Sequence, residues 1–526
     1  MRAVRRLLLL LPLAAGLAAC GAVEDRPQPA PPAPEPVIAE RAGVLKAATW
    51  RGMAAAEAAR EARLRAAIRR MRASRTVAGA LRLALLTERL APEDHARLGR
   101  EYAAARAAAG RLEGARAAEL GAVLAVVDGL AAERRLTAGR LRPVFLILRR
   151  NREFWTRAPM PASGERTSFG RDPAVFQYYP GRGMQLQPLA SWGKLNWLAG
   201  SCLRARRDCP RRRLRRAVDR LLDLGAGRGR FLAWEHYFAW GGGTPPWISG
   251  MTQATAISAL ARASEALGVR RWRRAAHRAL GAFRTAPPLG VDGGDHYLMY
   301  SFAPTLRIFN GELQAVSGIG ELAARGRDRV ARRLFRRGER GARRTLGAFD
   351  TGAWSLYSWA GRESTLSYHQ LVREFLGDMC ARTERREYCS AHRRFARYER
   401  EPTRIGIVPL RRLHARRPTR VHFSLSKISS VKVRVWGERG LSLSRDLELP
   451  HGTHWLDWTP PARGRFRLRI EAQGPSGPLG AEQRSLRIVL PKPKKRCPKR
   501  RAGRPERRPH AEPSAARPEP RCRRPD

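Results

Sequence analysis

The sequence predicts a mainly α-helical protein, built as an α/α toroid with long helices before it and a small β-sandwich after it. Three observations lead to this fold class. Residues 41–157 are rich in Ala, Arg and Leu and poor in strand-forming residues. Residues 158–398 alternate amphipathic helical segments with loops rich in Gly and aromatic residues. From 403 to 490 the apolar residues follow a period of two, which is typical of strands.

Residues 1–20 have the pattern of a signal peptide. A basic start, "MRAVRR", precedes a 13-residue apolar run that is too short to span a bilayer. The run ends in "LAAC", which resembles the lipobox of bacterial lipoproteins, a family in which the cysteine is lipidated. The resemblance implies an exported protein anchored to the cell membrane through Cys20 and facing the periplasm or the exterior. An ordinary signal peptide with a chance cysteine is the alternative, and it also implies export.

The proline-rich stretch 21–40 predicts an extended linker, and the following region 41–157 predicts several long helices without a recognisable motif. In the central region, "QATAISALARASEALG" places Ile257 and Leu260 on one helical face, and Gly268 suits the end of that helix. Helices joined by aromatic, Gly-rich loops indicate an α/α toroid. Such folds collect their sites from loops at one end of the helices.

The last folded segment, 403–490, contains alternating stretches such as "RVHFSLSKISSVKVRVWG" and "GRFRLRIEAQG". Short alternating strands separated by turns predict a β-sandwich, and this one resembles the Ig-like modules appended to many secreted bacterial proteins. The basic tail, 491–526, has almost no large apolar residues, so we expect it to be disordered apart from a loop closed by cysteines.

Six cysteines besides Cys20 fall into three local pairs, Cys202 with Cys209, Cys380 with Cys389, and Cys497 with Cys522. In an oxidising compartment, disulfides within each pair are the simplest arrangement, although the sequence leaves the connectivity open. No CxxC motif or histidine cluster accompanies the cysteines, so we predict no metal site.

The formal net charge of +56 suggests an anionic partner. However, 8 of the 102 basic residues are lysines, and an arginine excess of this kind is also expected from GC-rich codons. Binding to nucleic acid fits the charge but conflicts with the export signal, so we predict no nucleic-acid partner. The sequence does not indicate an oligomeric state.

Several common catalytic motifs are absent from the sequence. There is no P-loop, no GxGxxG opening a βαβ unit, no GxSxG elbow and no HExxH pair. We therefore expect neither a nucleotide cofactor nor a metal.

Four segments of the central region resemble, in order, the C-terminal domain of D-glucuronyl C5-epimerases. They are "YYPGRGMQLQPLASWGKLNWLAG", "WISGMTQATAISALARA", "YSFAPTLRIFNGELQAVSGIGEL" and "WSLYSWAGRESTLSYHQL". The resemblance implies an incomplete α/α toroid over 158–398. It also implies inversion at C5 of uronic acid residues in an anionic polysaccharide, without a cofactor. The animal members of the family carry a β-rich N-terminal part, whereas helices occupy that place in this sequence.

The chemistry implied by the resemblance explains which residues matter. C5 of a uronic acid lies next to a carboxylate, so its proton is weakly acidic, and a base on one face and an acid on the other can exchange it. Tyr357 and Tyr368 match the catalytic tyrosines of the family, and Arg362 matches the arginine that would neutralise the carboxylate. The spacing between Tyr357 and Arg362 is longer than in the animal proteins of the family.

Tyr300 matches a further site tyrosine. The family has an acidic residue directly before this tyrosine, but Leu298 and Met299 stand there in this sequence. Asp295 is nearby but offset. The site would then work with tyrosines alone, use Asp295, or be inactive.

Other residues are candidates for binding the sugar chain. Tyr178, Tyr179 and Arg182 lie in a Pro-Gly loop, and His369 follows the second catalytic tyrosine. Gln253 and Asn310 match polar positions of the family, although both could instead cap helices or loops. A last group could either line the site or belong to the core: Trp192, Trp234, Trp240, Trp247 and the pair Glu235 and His236.

We therefore expect an exported, lipid-anchored epimerase. Two alternatives remain at this point. One is a non-catalytic polysaccharide-binding or cell-envelope protein with a degenerate epimerase site. The other is a uronate polysaccharide lyase, since a lyase shares the abstraction of the C5 proton and then expels the C4 substituent.

Overall fold

The computed structural model describes residues 36–410 and 413–491. The predicted signal peptide with Cys20 and the predicted Cys497–Cys522 pair lie outside these residues, as do residues 21–35 of the predicted linker. Among the described residues, no helix is both long enough and apolar enough to cross a membrane.

Five helices occupy the N-terminal part of the described chain. They are α1 (Pro36–Ala73), α2 (Val77–Leu86), α3 (Pro92–Ala109), α4 (Gly114–Ala132) and α5 (Ala138–Trp155). The first helix begins at Pro36, inside the segment where the sequence predicts a linker. Helix α2 starts where the Thr76 side chain accepts a hydrogen bond from the Gly79 N–H, which satisfies a free donor of the first turn. Leu120 and Leu148 are among the buried residues that join α4 and α5 to the core.

A three-stranded antiparallel sheet follows, consisting of β1 (Arg166–Ser168), β2 (Val175–Tyr179) and β3 (Gly183–Leu186). The chain then enters the central helices α6 (Pro188–Arg204) and α7 (Arg211–Asp223). A short hairpin of β4 (Ala226–Arg228) and β5 (Phe231–Ala233) follows α7.

The remaining central helices form three further hairpins. They are α8 (Gly250–Leu267) with α9 (Arg270–Ala279), α10 (Phe309–Arg325) with α11 (Arg329–Thr345), and α12 (Leu366–Thr383) with α13 (Arg386–Tyr398). Helix α8 packs between α6 and α10, and α10 packs between α8 and α12. As predicted, α8 ends at Gly268, which adopts a left-handed conformation with φ 71°. The chain is about half helical and becomes β-rich after α13.

Two of the predicted disulfides are present. Cys202–Cys209 links the C-terminal end of α6 to the start of α7, and Cys380–Cys389 links α12 to α13. Each bond closes the turn of one helical hairpin, so the local pairing inferred from the spacing is confirmed for these four cysteines.

Among the described residues after α13 there are eight strands, which follow one another as β6 (Ile405–Ile407), β7 (Leu413–His414), β8 (Thr419–Leu425), β9 (Ser429–Gly437), β10 (Gly440–Leu449), β11 (Gly452–Trp458), β12 (Gly464–Gln473) and β13 (Gly480–Val489). One sheet has the order β10-β9-β12-β13-β7 and the other has the order β11-β8-β6. Inward residues of both sheets, such as Phe423 and Leu468, share one core. The segment is therefore a two-sheet sandwich, in agreement with the period of two in its sequence.

Candidate active site

Tyr357 and Tyr368, the predicted acid–base pair, lie in contact. Their ring centroids are 4.8 Å apart with an angle of 69° between the planes. Tyr357 stands in a turn closed by its own N–H, which donates to the Arg362 carbonyl at 3.0 Å. Tyr368 lies in the first turn of α12, whose start is capped by the Thr365 side chain. A sharp turn and a capped helix therefore bring the two phenols together.

Tyr300 joins this pair from the segment before α10. It pairs with Ser249 in an antiparallel bridge, stacks on Phe302 at 5.3 Å and meets the edge of Trp247 at 5.6 Å. The phenol of Tyr300 lies near both members of the pair: it contributes to the raised pKa of Tyr357, and the phenol of Tyr368 contributes to the raised pKa of Tyr300 itself. We call Tyr300, Tyr357 and Tyr368 the tyrosine cluster.

Tyr179 and Arg182 extend the site from the end of β2. The Tyr179 ring lies 4.6 Å from Phe238 and 5.5 Å from Trp240. The Arg182 Nε donates to the Ala239 carbonyl at 2.7 Å, and its guanidinium lies 6.0 Å from the Trp240 ring. Trp240 is 37 % exposed, so aromatic side chains and a cation line this part of the surface.

Each of these residues lies before, or at the start of, one of four helices that pack side by side in chain order: α6, α8, α10 and α12. The Tyr179 turn comes before α6, Trp240 and Trp247 before α8, Tyr300 before α10, and the Tyr357 turn before α12. The N-terminal ends of these helices are thus on the side of the tyrosine cluster. Because helix N-termini carry partial positive charge, this end of the domain favours an anion.

Burial raises the pKa of Tyr357 above its usual value of about 10, and the neighbouring phenols of Tyr368 and Tyr300 raise it further. Arg362 opposes this effect by favouring the phenolate. Burial also raises the pKa of Tyr300, whereas its interaction with Trp240 lowers it. Both tyrosines therefore hold their protons at neutral pH and are hydrogen-bond donors in the resting site.

A buried carboxylate from the N-terminal helices holds the turn that carries Tyr179 and Arg182. Glu119 on α4 accepts hydrogen bonds from the Tyr178 hydroxyl, the Gly181 N–H and the Gly183 N–H, each at 2.7 Å. Gly183 has φ 73°, and an added Cβ would come within 2.5 Å of the Asn151 side chain. The turn is thus shaped by its glycine and held by Glu119, a residue that no motif in the sequence singles out.

A second buried carboxylate holds the opposite segment. The side chain of Glu363, next to Arg362, accepts the N–H groups of Ile428 at 2.9 Å and His451 at 2.7 Å. Both donors belong to the β-sandwich. Lys427, in the same sandwich, is buried and donates to the Tyr398 and Glu401 carbonyls. The sandwich therefore supports the back of the segment that carries the tyrosines.

Three residues predicted to bind substrate lie in the interior, which corrects those expectations. His369 stacks on Trp354 at 3.8 Å and has both ring nitrogens within hydrogen-bond distance of Ser355 and Phe395. Gln253 is fully buried and donates to the Trp234 carbonyl. Asn310 is 1 % exposed, and its Nδ2 has no hydrogen-bond partner among the described residues.

Several residues for which the sequence left two roles open belong to the core. The Trp192 and Trp234 rings pack 4.7 Å apart in the interior. Tyr178, which we expected to line the sugar groove, is also buried, and its hydroxyl donates to Glu119. Glu235 is fully enclosed and pairs with Arg140 at 2.7 Å and Arg228 at 2.8 Å.

Burial alone would raise the pKa of Glu235, but the ion pairs with Arg140 and Arg228 outweigh it, so the pKa is lowered. Burial lowers the pKa of His236 to about 3, and its ring stacks on Trp247 at 4.0 Å. Glu235 and His236 are therefore a structural pair in which the carboxylate is charged and the imidazole neutral.

Asp295 does not take the place of the acid missing before Tyr300. Its carboxylate lies 3.0 Å from the His296 ring and 3.0 Å from Arg344. The hydrogen bond from His296 is the main cause that lowers the pKa of Asp295, so the group is an ion-paired carboxylate at neutral pH. Within 36–410 and 413–491, no carboxylate is hydrogen-bonded to a hydroxyl of the tyrosine cluster, and no three acidic, His or Cys side chains cluster as a metal site would require.

Comparison with known proteins gives one family match, which lies in the central helical region. Residues 228–397 match the family described as D-glucuronyl C5-epimerase C-terminus. This epimerase-family segment covers less than half of the chain and includes the whole tyrosine cluster. No curated protein matches the chain.

Among solved structures, a cellobiose 2-epimerase from Spirochaeta thermophila DSM 6192 is 16% identical, with a TM-score of 0.33. The alignment covers 49% of this chain and 68% of that chain. A similarity at this level says nothing about the site or its substrate.

Proposed function

We propose that this protein is a C5-epimerase that inverts uronic acid residues within an anionic polysaccharide. The observation that carries the proposal is the convergence of Tyr300, Tyr357 and Tyr368 beside Arg362, inside the segment that matches the D-glucuronyl C5-epimerase family. The family match supports the class of reaction, and the residues of the cluster supply groups suited to it.

In the proposed reaction, Arg362 binds the carboxylate of the uronic acid and so stabilises the negative charge that builds up as the C5–H bond breaks. One tyrosine, as phenolate, removes the C5 proton. A second, protonated tyrosine returns a proton to C5 from the other face, so the configuration is inverted and no net proton is consumed. Tyr357 suits the role of donor because its pKa is raised, and Tyr368 then takes the role of base.

The surroundings of the cluster favour an anionic sugar chain. Arg182 and Arg362 contribute positive charge, and the N-terminal ends of four helices lie on the same side. Tyr179 and Trp240 offer aromatic surfaces on which a sugar ring can pack. The reaction as proposed uses the tyrosines alone, since Leu298 and Met299 replace the acid of the family and Asp295 is held in ion pairs.

Three further features belong to this proposal. The four successive helical hairpins are the incomplete α/α toroid of the family. The sandwich is an Ig-like module. The protein is exported and anchored to the membrane through a lipidated Cys20, which places the site outside the cytoplasm near the polysaccharides of the cell surface.

The test is exchange of the C5 proton with solvent. The protein is incubated in heavy water with glucuronate-containing polymers, and deuterium at C5 is measured by NMR. The proposal expects deuterium at C5 together with the inverted sugar. Formation of an unsaturated uronate, detected by its ultraviolet absorbance, would instead identify the lyase alternative.

The missing acid before Tyr300 favours a second candidate, a non-catalytic protein that binds polysaccharide through the same surface. Binding of glucuronate polymers without any deuterium incorporation would support this candidate and reject the epimerase.

A further inference from the structure

The outer face of the five-stranded sheet in the sandwich carries a dense group of arginines. Along β12 the inward residues Phe466, Leu468 and Ile470 are buried, and the outward residues between them are arginines. The outward arginines of this sheet face are Arg434, Arg465, Arg467, Arg469 and Arg487, and we call them, with Trp436, the arginine face.

The strand register places like charges directly opposite one another. Arg465 pairs with Arg487 on β13, and Arg469 pairs with Arg434 on β9. Like charges at opposed positions of neighbouring strands destabilise a sheet. The stability of the sandwich therefore does not account for this arrangement, whereas a polyanion lying on the face would.

Acidic residues balance this charge only in part. Asp446 pairs with Arg434 at 2.8 Å, and Glu471 pairs with Arg469 at 2.6 Å. In the part of the chain that the structure describes, Arg465, Arg467 and Arg487 have no carboxylate partner within ion-pair distance. All three are exposed. They surround a shallow depression of about 770 Å³ that Trp436 and Gln483 also line.

We propose that the arginine face is a second binding site, which holds a stretch of anionic polysaccharide apart from the tyrosine cluster. The choice of polymer rests on the proposed function. Arginines at every second residue of a strand are roughly 6.5 Å apart, and neighbouring strands are about 4.8 Å apart. Such a regular row of cations fits an extended polymer with repeated carboxylates better than it fits a single small anion.

The composition of the face distinguishes a sugar polymer from a membrane. A surface that enters the lipid headgroup region needs several apolar side chains beside its cations. Among the residues that line the depression, Trp436 is the one large apolar side chain that is not buried, and it lies beside the polar Gln483 and Ser485. Leu441 and Val489 are exposed at the margins of the same sheet face. A flat polar surface with one aromatic ring is suited to hydrogen bonding and packing against sugar rings.

A second site would raise the effective concentration of polymer at the tyrosine cluster, because one chain could contact both sites. Long polymers would then bind more tightly than short oligosaccharides. This gain depends on the arginine face and not on the chemistry of the tyrosines.

The test compares two full-length triple variants with equal loss of charge. One is Arg465→Gln, Arg467→Gln and Arg487→Gln on the arginine face. The control is Arg332→Gln, Arg333→Gln and Arg336→Gln, which are exposed on α11. Binding is measured to alginate and hyaluronan, with dextran, phosphatidylglycerol vesicles and duplex DNA as the other probes.

We expect the arginine-face variant to bind alginate or hyaluronan about tenfold more weakly, since each exposed ion pair contributes a few-fold, and the control to bind as the unaltered protein does. Equal weakening in both variants, or none in either, would overturn the inference. A loss confined to vesicles or DNA would also overturn it and identify the other partner. Thermal unfolding should show that the arginine-face variant is folded and no less stable, because opposed like charges have been removed.

The polymer-binding test of the arginine face and the deuterium-exchange test of the proposed function can fail independently of each other. Weaker polymer binding by the arginine-face variant, without deuterium exchange in any protein, would retain the second site and reject the epimerase. Deuterium exchange with equal polymer binding by both variants would retain the epimerase and reject the second site.

Discussion

The carboxylate of Glu363 accepts a hydrogen bond from the backbone N–H of His451 at 2.7 Å and lies 3.0 Å from the Nδ1 of the same residue. Glu363 is adjacent to Arg362 in the tyrosine-bearing segment, and His451 lies in the turn between β10 and β11. The contact thus connects the candidate site to the sandwich through a side chain that is fully enclosed.

The first prediction concerns this connection. Glu363→Ala leaves the N–H groups of Ile428 and His451 without their acceptor. Each unsatisfied donor removed from water costs about 1–3 kcal/mol, so the unfolding free energy should fall by roughly 2–6 kcal/mol for the two donors. Urea unfolding measures this, and the exposed Glu438→Gln serves as the control. An unchanged midpoint would show that the contact does not couple the sandwich to the site.

The second prediction concerns the acid–base pair. Tyr357→Phe and Tyr368→Phe each remove one hydroxyl and keep the ring packing, so deuterium exchange at C5 should drop by about 10²–10⁴-fold while the fold is retained. Tyr102→Phe is the matched control, because its hydroxyl is hydrogen-bonded to Asp128 far from the site. Exchange that survives either substitution would remove that tyrosine from the mechanism.

The third prediction concerns the pH dependence of exchange. Burial and the neighbouring phenols raise the pKa of Tyr357, and burial raises that of Tyr300, so these two tyrosines supply little phenolate at neutral pH. Because the proposed reaction needs one phenolate, its rate should increase by up to about tenfold per pH unit from about pH 6 to about pH 9. Exchange rates in buffered heavy water measure this. A rate that is flat or falls over this range would exclude a tyrosine base.

The fourth prediction concerns Glu312, a buried carboxyl at the start of α10. Burial raises its pKa from 4.5 to about 7. The folded state therefore holds a proton that the unfolded state releases, and the stability present below about pH 4.5 is lost as the pH rises through about 7. The loss is on the order of 3 kcal/mol.

Glu312→Gln should remove this part of the pH dependence and make the protein more stable than the unaltered chain at about pH 8. The measurement is urea unfolding between about pH 5 and about pH 8. The exposed Glu57→Gln should leave the pH dependence as it is. If the free energy of unfolding changed with pH in the same way in the unaltered protein and in Glu312→Gln, the raised pKa of Glu312 would be contradicted.

The fifth prediction concerns Glu119, which holds the turn carrying Tyr179 and Arg182. Glu119→Gln replaces one acceptor oxygen by an NH2 donor, so the turn loses either the acceptor of the Gly183 N–H or the acceptor shared by Tyr178 and Gly181. The turn should loosen, and we expect a several-fold increase in KM with little change in kcat, since the tyrosine cluster is untouched. Steady-state kinetics measure this, with the exposed Glu113→Gln as the control. A fall in kcat alone would place Glu119 in the chemistry rather than in substrate binding.

The sequence by itself determined the features that depend on near neighbours along the chain. The spacing of Ile257 and Leu260 and the glycine at 268 suffice for α8 and its end, because helix periodicity and capping are local. The alternation of buried and exposed residues along β12 is equally local. So is the pairing of Cys202 with Cys209 and of Cys380 with Cys389. The family resemblance also led to Tyr357 and Tyr368.

Only the tertiary structure decided which residues surround those tyrosines. Tyr300 reaches the cluster, whereas His369, adjacent to Tyr368, points into the core. Glu119 and Glu363 acquire their roles from partners 59 to 88 residues away in the chain. Burial and hydrogen bonding between distant segments depend on the path of the whole chain, so periodicity and motif spacing do not contain them.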